Sequence, residues 1–156
     1  MWSWCKLTIQ TGGEEWPSGV KMLKRRRGIR NLEASNLSSN EARQLMLAIN
    51  ENPSLEDVDL GSSCLSQVEQ GLLGGALSRL VRVNLENIVF SEEQLEALFS
   101  SNHKITSLNL EEVDLSRASP MTLTFTSKLS ELRISNTMLT QEQISFEFPD
   151  FLVEPA

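Results

Sequence analysis

A leucine-based motif that returns roughly every 25 residues constrains this chain more than any other feature. Its clearest copy reads Leu80-Val-Arg-Val83-Asn-Leu85, followed by Ile88 and Phe90; the next reads Ile105-Thr-Ser-Leu108-Asn-Leu110, followed by Val113 and Leu115. Weaker copies run Ile29, Leu32, Ala34, Leu37; Leu55, Val58, Leu60, Leu65; and Leu129, Leu132, Ile134, Leu139. A degenerate first copy is Trp4, Leu7, Ile9. The copies open near residues 4, 29, 55, 80, 105 and 129, a spacing of 24–26. The last two apolar residues of each copy are two apart, so they share one face of a short strand. One such strand cannot bury that face by itself, whereas a stack of them shares a continuous core.

The return segments read as helices in most copies. Six residues after the last strand apolar comes a column of helix starters: Asn40, Ser66, Ser91, Ser116 and Thr140. Glu69, Gln94 and Gln143 stand three residues further on, the spacing of a capping box. Helical apolar spacing follows in Ala42, Leu45, Ile49; Val68, Leu72, Ala76; and Leu95, Leu98, Phe99. Trp16, Val20 and Leu23 repeat it in the first copy, where Pro17 suits an opening turn. Asn52-Pro53 and Asn102 follow their helices as stop signals. The fifth copy breaks the pattern: residues 119–125 alternate with period two and predict an extended or irregular segment.

These strand motifs, the period and the helical return resemble the leucine-rich repeats of the ribonuclease-inhibitor type, which also form the sensing region of NOD-like receptors. The resemblance covers about residues 4–145. It implies an α/β leucine-rich-repeat solenoid with a concave parallel sheet, convex helices and about six repeats. It also implies protein recognition, with innate-immune sensing as the leading context. A stand-alone inhibitor or scaffold binding a basic partner, or a regulator of a nucleotide-dependent switch, is the alternative. One departure bears on the fold. Where that family places Asn or Cys three residues after the last strand leucine, this chain has Gly12, Leu37, Ser63, Ile88, Val113 and Thr137. Its turns must satisfy their backbone groups by other means.

The repeat register predicts the outward side chains of the sheet. Thr8, Glu33, Asp59, Asn84, Asn109 and Arg133 lie between the strand apolars. Gln10, Ser35, Gly61, Glu86, Glu111 and Ser135 come just after them, with Asp57 and Glu112 nearby. Such a surface is acidic and amide-rich. The candidate protein-binding residues are therefore Glu33, Asp57, Asp59, Asn84, Glu86, Asn109, Glu111, Glu112 and Arg133, and the expected partner is a protein with a basic surface. Five strand steps give only about 400 Å² of sheet. A standard interface takes about 800 Å² from each partner, so loop edges are expected to contribute, or the chain is part of a longer array.

Charge narrows the alternatives. Residues 1–30 hold seven basic and two acidic side chains, and the remainder holds seven basic and nineteen acidic ones, for a net −7. An acidic body argues against nucleic-acid binding. The basic run Lys21-Met-Leu-Lys24-Arg25-Arg26-Arg27 reads first as a solvated helix end whose cations complement the helix dipole. Nuclear import or an anionic partner is its second reading. No apolar run approaches the roughly 18–20 residues of a membrane span. Cys5 and Cys64 form neither a disulfide framework nor a zinc spacing, and a cytoplasmic setting is expected. His103 has no cysteine or carboxylate neighbour in a recognisable order, and the acids at 57, 59, 111 and 112 match no metal loop or glycosidase pair. No cofactor, metal or catalytic residue is therefore expected. The glycines of Gly71-Leu-Leu-Gly74-Gly75 read as positions of close helix packing or an early helix end. One domain is expected over residues 1–156. Residues 140–156 are expected to close its C-terminal end, with docking onto another surface as the second reading of the aromatic-rich stretch from Ile144 to Leu152, and Trp2 and Trp4 are candidates to cover the other end.

Overall fold

A computed structural model describes residues 6–98, the backbone of 99–100, and residues 104–118 and 129–137. Trp2, Trp4, Cys5, the side chain of Phe99, Asn102, His103, the segment 119–125, Thr140, Gln143 and the expected cap at 140–156 lie outside the described residues.

Six three-residue strands form one parallel sheet in chain order: β1 (Lys6–Thr8), β2 (Asn31–Glu33), β3 (Asp57–Asp59), β4 (Arg82–Asn84), β5 (Ser107–Asn109) and β6 (Glu131–Arg133). The helices α1 (Trp16–Arg25), α2 (Ser39–Asn50), α3 (Gln70–Leu77) and α4 (Glu92–Ser100) connect the first five strands. The architecture is the expected α/β solenoid of leucine-rich-repeat type. Pairing follows the repeat: Leu7, Leu32, Val58, Val83, Leu108 and Leu132 stand side by side at the strand centres. The four inner members of that row are buried, whereas Leu7 and Leu132, on the outermost strands, are only partly so. Just beyond each strand, Ile9, Ala34, Leu60, Leu85, Leu110 and Ile134 complete the core. Helix residues Trp16, Val20, Leu23, Ala42, Leu45, Met46, Ile49, Leu73, Ala76, Leu77, Leu95 and Leu98 close it from the other side. Each fully buried Leu or Ile contributes about 1.5–3 kcal/mol.

The turns after the strands solve the missing-asparagine problem with backbone geometry. Asn36, Ser62, Asn87, Glu112 and Asn136 each take a positive φ of 55–61°. The first four donate their N–H to the next repeat, to the carbonyls of Gly61, Glu86, Glu111 and Ser135 at 2.9–3.1 Å. Side chains add to this ladder where they can. Ser63 Oγ accepts from the Leu37 N–H at 3.1 Å, and Thr137 Oγ1 donates to the Leu110 carbonyl at 2.9 Å.

Helix starts depart from the predicted column. Ser38, rather than Asn40, caps α2 in a reciprocal box with Glu41. Ser66 begins no helix: a tight turn closed by Val68 N–H to the Leu65 carbonyl comes first, and α3 starts only after Glu69. Asp114 accepts from the Ser116 N–H and hydroxyl, which commits Ser116 to a local turn. Ser91 and Gln94 do form the expected box. Among the described residues, only there and at Ser38 does the fourth residue's side chain fold back to the cap. Gly74 faces α4, where a Cβ would stand 3.4 Å from the Ala97 carbonyl, an ordinary contact.

Two amides read as local signals turn out to be buried clamps between repeats. Asn52 donates from Nδ2 to the Leu23 and Arg26 carbonyls at the end of α1, at 2.6 and 3.0 Å. Gln94 uses Oε1 for its capping box while Nε2 reaches back to the Leu65 and Val68 carbonyls at 2.6 and 2.8 Å.

Candidate protein-binding face

A three-residue strand with a buried centre turns both flanking side chains outward. The outer sheet face therefore carries two columns. The second, Thr8, Glu33, Asp59, Asn84, Asn109 and Arg133, is the predicted one. The first, Lys6, Asn31, Asp57, Arg82, Ser107 and Glu131, supplied only Asp57 to the sequence-based set. The residue before each central leucine was the available signal, since period two sends it outward too. Together the columns line a shallow concavity of about 380 Å³ that reaches from Lys6 of β1 to Arg133 of β6.

The added column changes the electrostatics. The Lys6 ammonium lies 3.0 Å from Glu33, and Arg82 meets both oxygens of Asp57 at 3.0 and 3.2 Å. Arg133 pairs with Glu111 at 3.2 Å. The first two link adjacent strands and the third joins β6 to the turn after β5; all are at least partly exposed, so each contributes little to stability, about 0–1 kcal/mol. They do neutralise charge. The strand residues of this face hold Lys6, Arg82 and Arg133 against Glu33, Asp57, Asp59 and Glu131, a balance of −1. An acidic sheet centre is thus corrected to a nearly balanced one.

Three further candidates have structural duties. Asp59, Asn84 and Asn109 each accept, through Oδ1, the N–H two residues on, at 2.9–3.0 Å. These bonds fix the turn that leaves each strand. Glu86, Glu111 and Glu112 stand on those turns, beyond the concavity.

The acidity lies along the trailing rim, where the chain leaves the strands and enters the helices. The connecting segments there carry Glu14, Glu15, Glu69, Glu86, Glu111, Glu112 and Asp114 against Arg117, a balance of −6 among the described residues. The leading rim, where helices end and strands begin, carries Arg26, Arg27, Arg30, Arg79 and Lys104 against Glu51 and Glu56, a balance of +3. Several trailing acids are committed. Glu69 pairs with Arg43 at 3.1 Å. The Ser116 hydroxyl and N–H hold the Asp114 carboxyl below its ordinary range, aided by Arg117 and opposed by partial burial. Glu86 and Glu112 make no side-chain hydrogen bond or ion pair among the described residues, and Glu112 is exposed. Close by, Val89 is 78% exposed and the Cys64 thiol is free and exposed.

Among the described residues, no group of three His, Cys, Asp or Glu side chains is placed to hold a metal, and no helix is long and apolar enough to cross a membrane. The chain matches no family model and no curated protein. Among solved structures it is similar to the tropomodulin C-terminal domain from Caenorhabditis elegans, with a TM-score of 0.63 and 16% identity over 84% of this chain and 87% of that one. At that identity the likeness establishes the fold, a leucine-rich-repeat-like solenoid.

Proposed function

We propose that this protein is a recognition module that binds another protein across its outer sheet face and trailing rim. The observation that carries the reading is the pair of uncommitted carboxylates, Glu86 and Glu112, set beside a concavity whose own charges are largely matched. A mixed, paired face orients a partner through complementary ion pairs, and the acidic rim draws basic groups to one side of it. The partner accordingly presents Lys or Arg toward the trailing rim and a polar, charge-matched surface toward the strands. The strands alone give about half of what a standard interface takes from each partner, so the reading includes the rim in the binding surface. The innate-immune context rests on the strand motif and period alone; recognition without catalysis is the reading proposed here.

The test compares capture of partners by the wild-type chain, by a Glu86→Lys, Glu112→Lys, Glu131→Lys variant, and by a Glu96→Lys control on α4. The reversed positions avoid the residues that pair with Lys6, Arg82 and Arg133. A partner retained by wild type and control and lost by the triple variant supports the reading. Equal retention by all three, or no saturable partner for any, overturns it.

A further inference from the structure

Asn84 and Asn109 stand side by side on β4 and β5, strands that are paired on both sides and so lie inside the stack, away from its ends. Each carboxamide is fixed through its oxygen, because Oδ1 accepts the N–H of Glu86 or Glu111 at 2.9 Å. Only the oxygen of a carboxamide accepts from an N–H, so the amino group is the other atom and is turned away from that bond. Both residues line the concavity of the sheet, and neither Nδ2 has a hydrogen-bond partner among the described residues. The face thus holds two oriented, unused donors on side chains about 4.8 Å apart, one strand step.

Such a pair selects an occupant with acceptors close together. A full negative charge is disfavoured, since Asp59 flanks the pair on β3 and Glu86 and Glu112 stand on the rim beside it. Neutral carbonyls fit better. An extended strand does not bring two of them together, because carbonyls on one side of it are two residues, about 6.8 Å, apart. The last turn of a helix does. Its final four carbonyls have no partner within the helix, and they sit on a backbone cylinder about 4.6 Å across. Their partial negative charge also favours Lys or Arg in the same turn.

The protein already makes this contact within itself. Asn52 Nδ2 donates to the Leu23 and Arg26 carbonyls at the end of α1, at 2.6 and 3.0 Å, so one carboxamide there holds two helix-end carbonyls. We infer that Asn84 and Asn109 hold the C-terminal end of a helix of the partner protein in the same way, with Lys or Arg of its last turn seated on Glu86 and Glu112. The inference rests on the binding face proposed above. It adds the element that face receives and the direction in which that element points.

The probe is a soluble alanine-based peptide of about 20 residues, long enough to be helical alone, with acetyl and amide ends and a Lys-rich last turn. A control peptide carries the same lysines in its middle turns. In isotope-labelled full chain, the Asn84 and Asn109 side-chain amide resonances should shift saturably with the first peptide, and the control should bind at least about fivefold more weakly. Asn84→Asp and Asn109→Asp then separate donor from charge. Asp keeps the accepting oxygen, and Asp59 shows that it fits, since its Oδ1 accepts the Gly61 N–H at 3.0 Å in the same column. The added carboxylate alone would strengthen binding of a cationic peptide. Loss of the donor requires the opposite, at least about fivefold weaker binding for each variant. Equal or tighter binding by the folded variants overturns the inference, as does equal binding of the two peptides. No shift of either amide in wild type up to about 2 mM peptide overturns it as well, whether or not a variant folds. Partner capture by the charge-reversed rim is a separate readout, so failure here leaves the proposed binding face standing and failure there is seen independently.

Discussion

On the leading rim, arginines are at work on helix ends; on the trailing rim, the Glu86 and Glu112 carboxylates make no hydrogen bond or ion pair among the described residues. Arg79 donates to the Ile49 and Asn50 carbonyls at the end of α2, at 3.3 and 2.7 Å, and Arg27 donates to the Glu51 carbonyl beside it. Lys24 and Arg25 lie in the last turn of α1. These carbonyls are the unsatisfied negative ends of helices, so positive charge beside them is stabilising whatever the protein binds. The basic run therefore has a structural explanation in its helix-end reading. Acids near helix starts have a matching one: Glu41 completes the α2 cap, accepts from the Gly12 N–H at 2.9 Å, and stays below its ordinary pKa although partial burial opposes this. Glu86 and Glu112 stand on the turns just after β4 and β5, whose bonds are made by backbone groups and by the Asn84 and Asn109 side chains rather than by these carboxylates. The contrast separates charge required by the fold from charge the fold leaves over.

Three substitutions sharpen that contrast. Asn52→Ala should have the largest effect, because it strands two carbonyls at the end of α1 next to a buried site. A loss of about 2–3 kcal/mol is expected, which for a chain of this size is a fall of about 5–10 °C in thermal midpoint. A shift under about 1 °C would mean that water or backbone replaces the clamp. Arg79→Met keeps the apolar stem and removes the donors, and should cost about 1 kcal/mol in denaturant unfolding. No loss there would return the leading rim to the pool of binding surfaces. The smallest effect, with opposite sign, belongs to Glu112→Asn. Glutamate is held at φ 61° where three other repeats use Asn. Asn tolerates that region better, so stability should rise by a few tenths of a kcal/mol up to about 1. If capture of the partner falls while stability rises, this carboxylate is retained for recognition at the expense of the turn.

Much of this was legible in advance because the relevant codes are local. Period two sets which strand residues face inward, and the 25-residue return sets which strands pair, so the row from Leu7 to Leu132 could be read from spacing. The helix faces followed from period 3.6 at most described positions; Val68 is buried but lies ahead of α3, and Leu72 within α3 is only partly buried. Helix starts were less legible. Ser38, Ser66 and Ser116 offer the same hydroxyl chemistry, and each was decided by the path of the preceding turn.

The sequence by itself determined the solenoid, its register and the identity of its outer face, since each repeat carries the same short pattern. Only the tertiary structure decided what the polar side chains on and behind that face do. Asp57 finds Arg82 across a strand spacing, not along the chain. Asn52 and Gln94 find carbonyls one repeat away. Asp59, Asn84 and Asn109 turn back on their own backbones, while the Glu86 and Glu112 carboxylates are unpaired among the described residues. A polar group's duty depends on which donors and acceptors the neighbouring repeat leaves unsatisfied, and that is settled when the repeats stack.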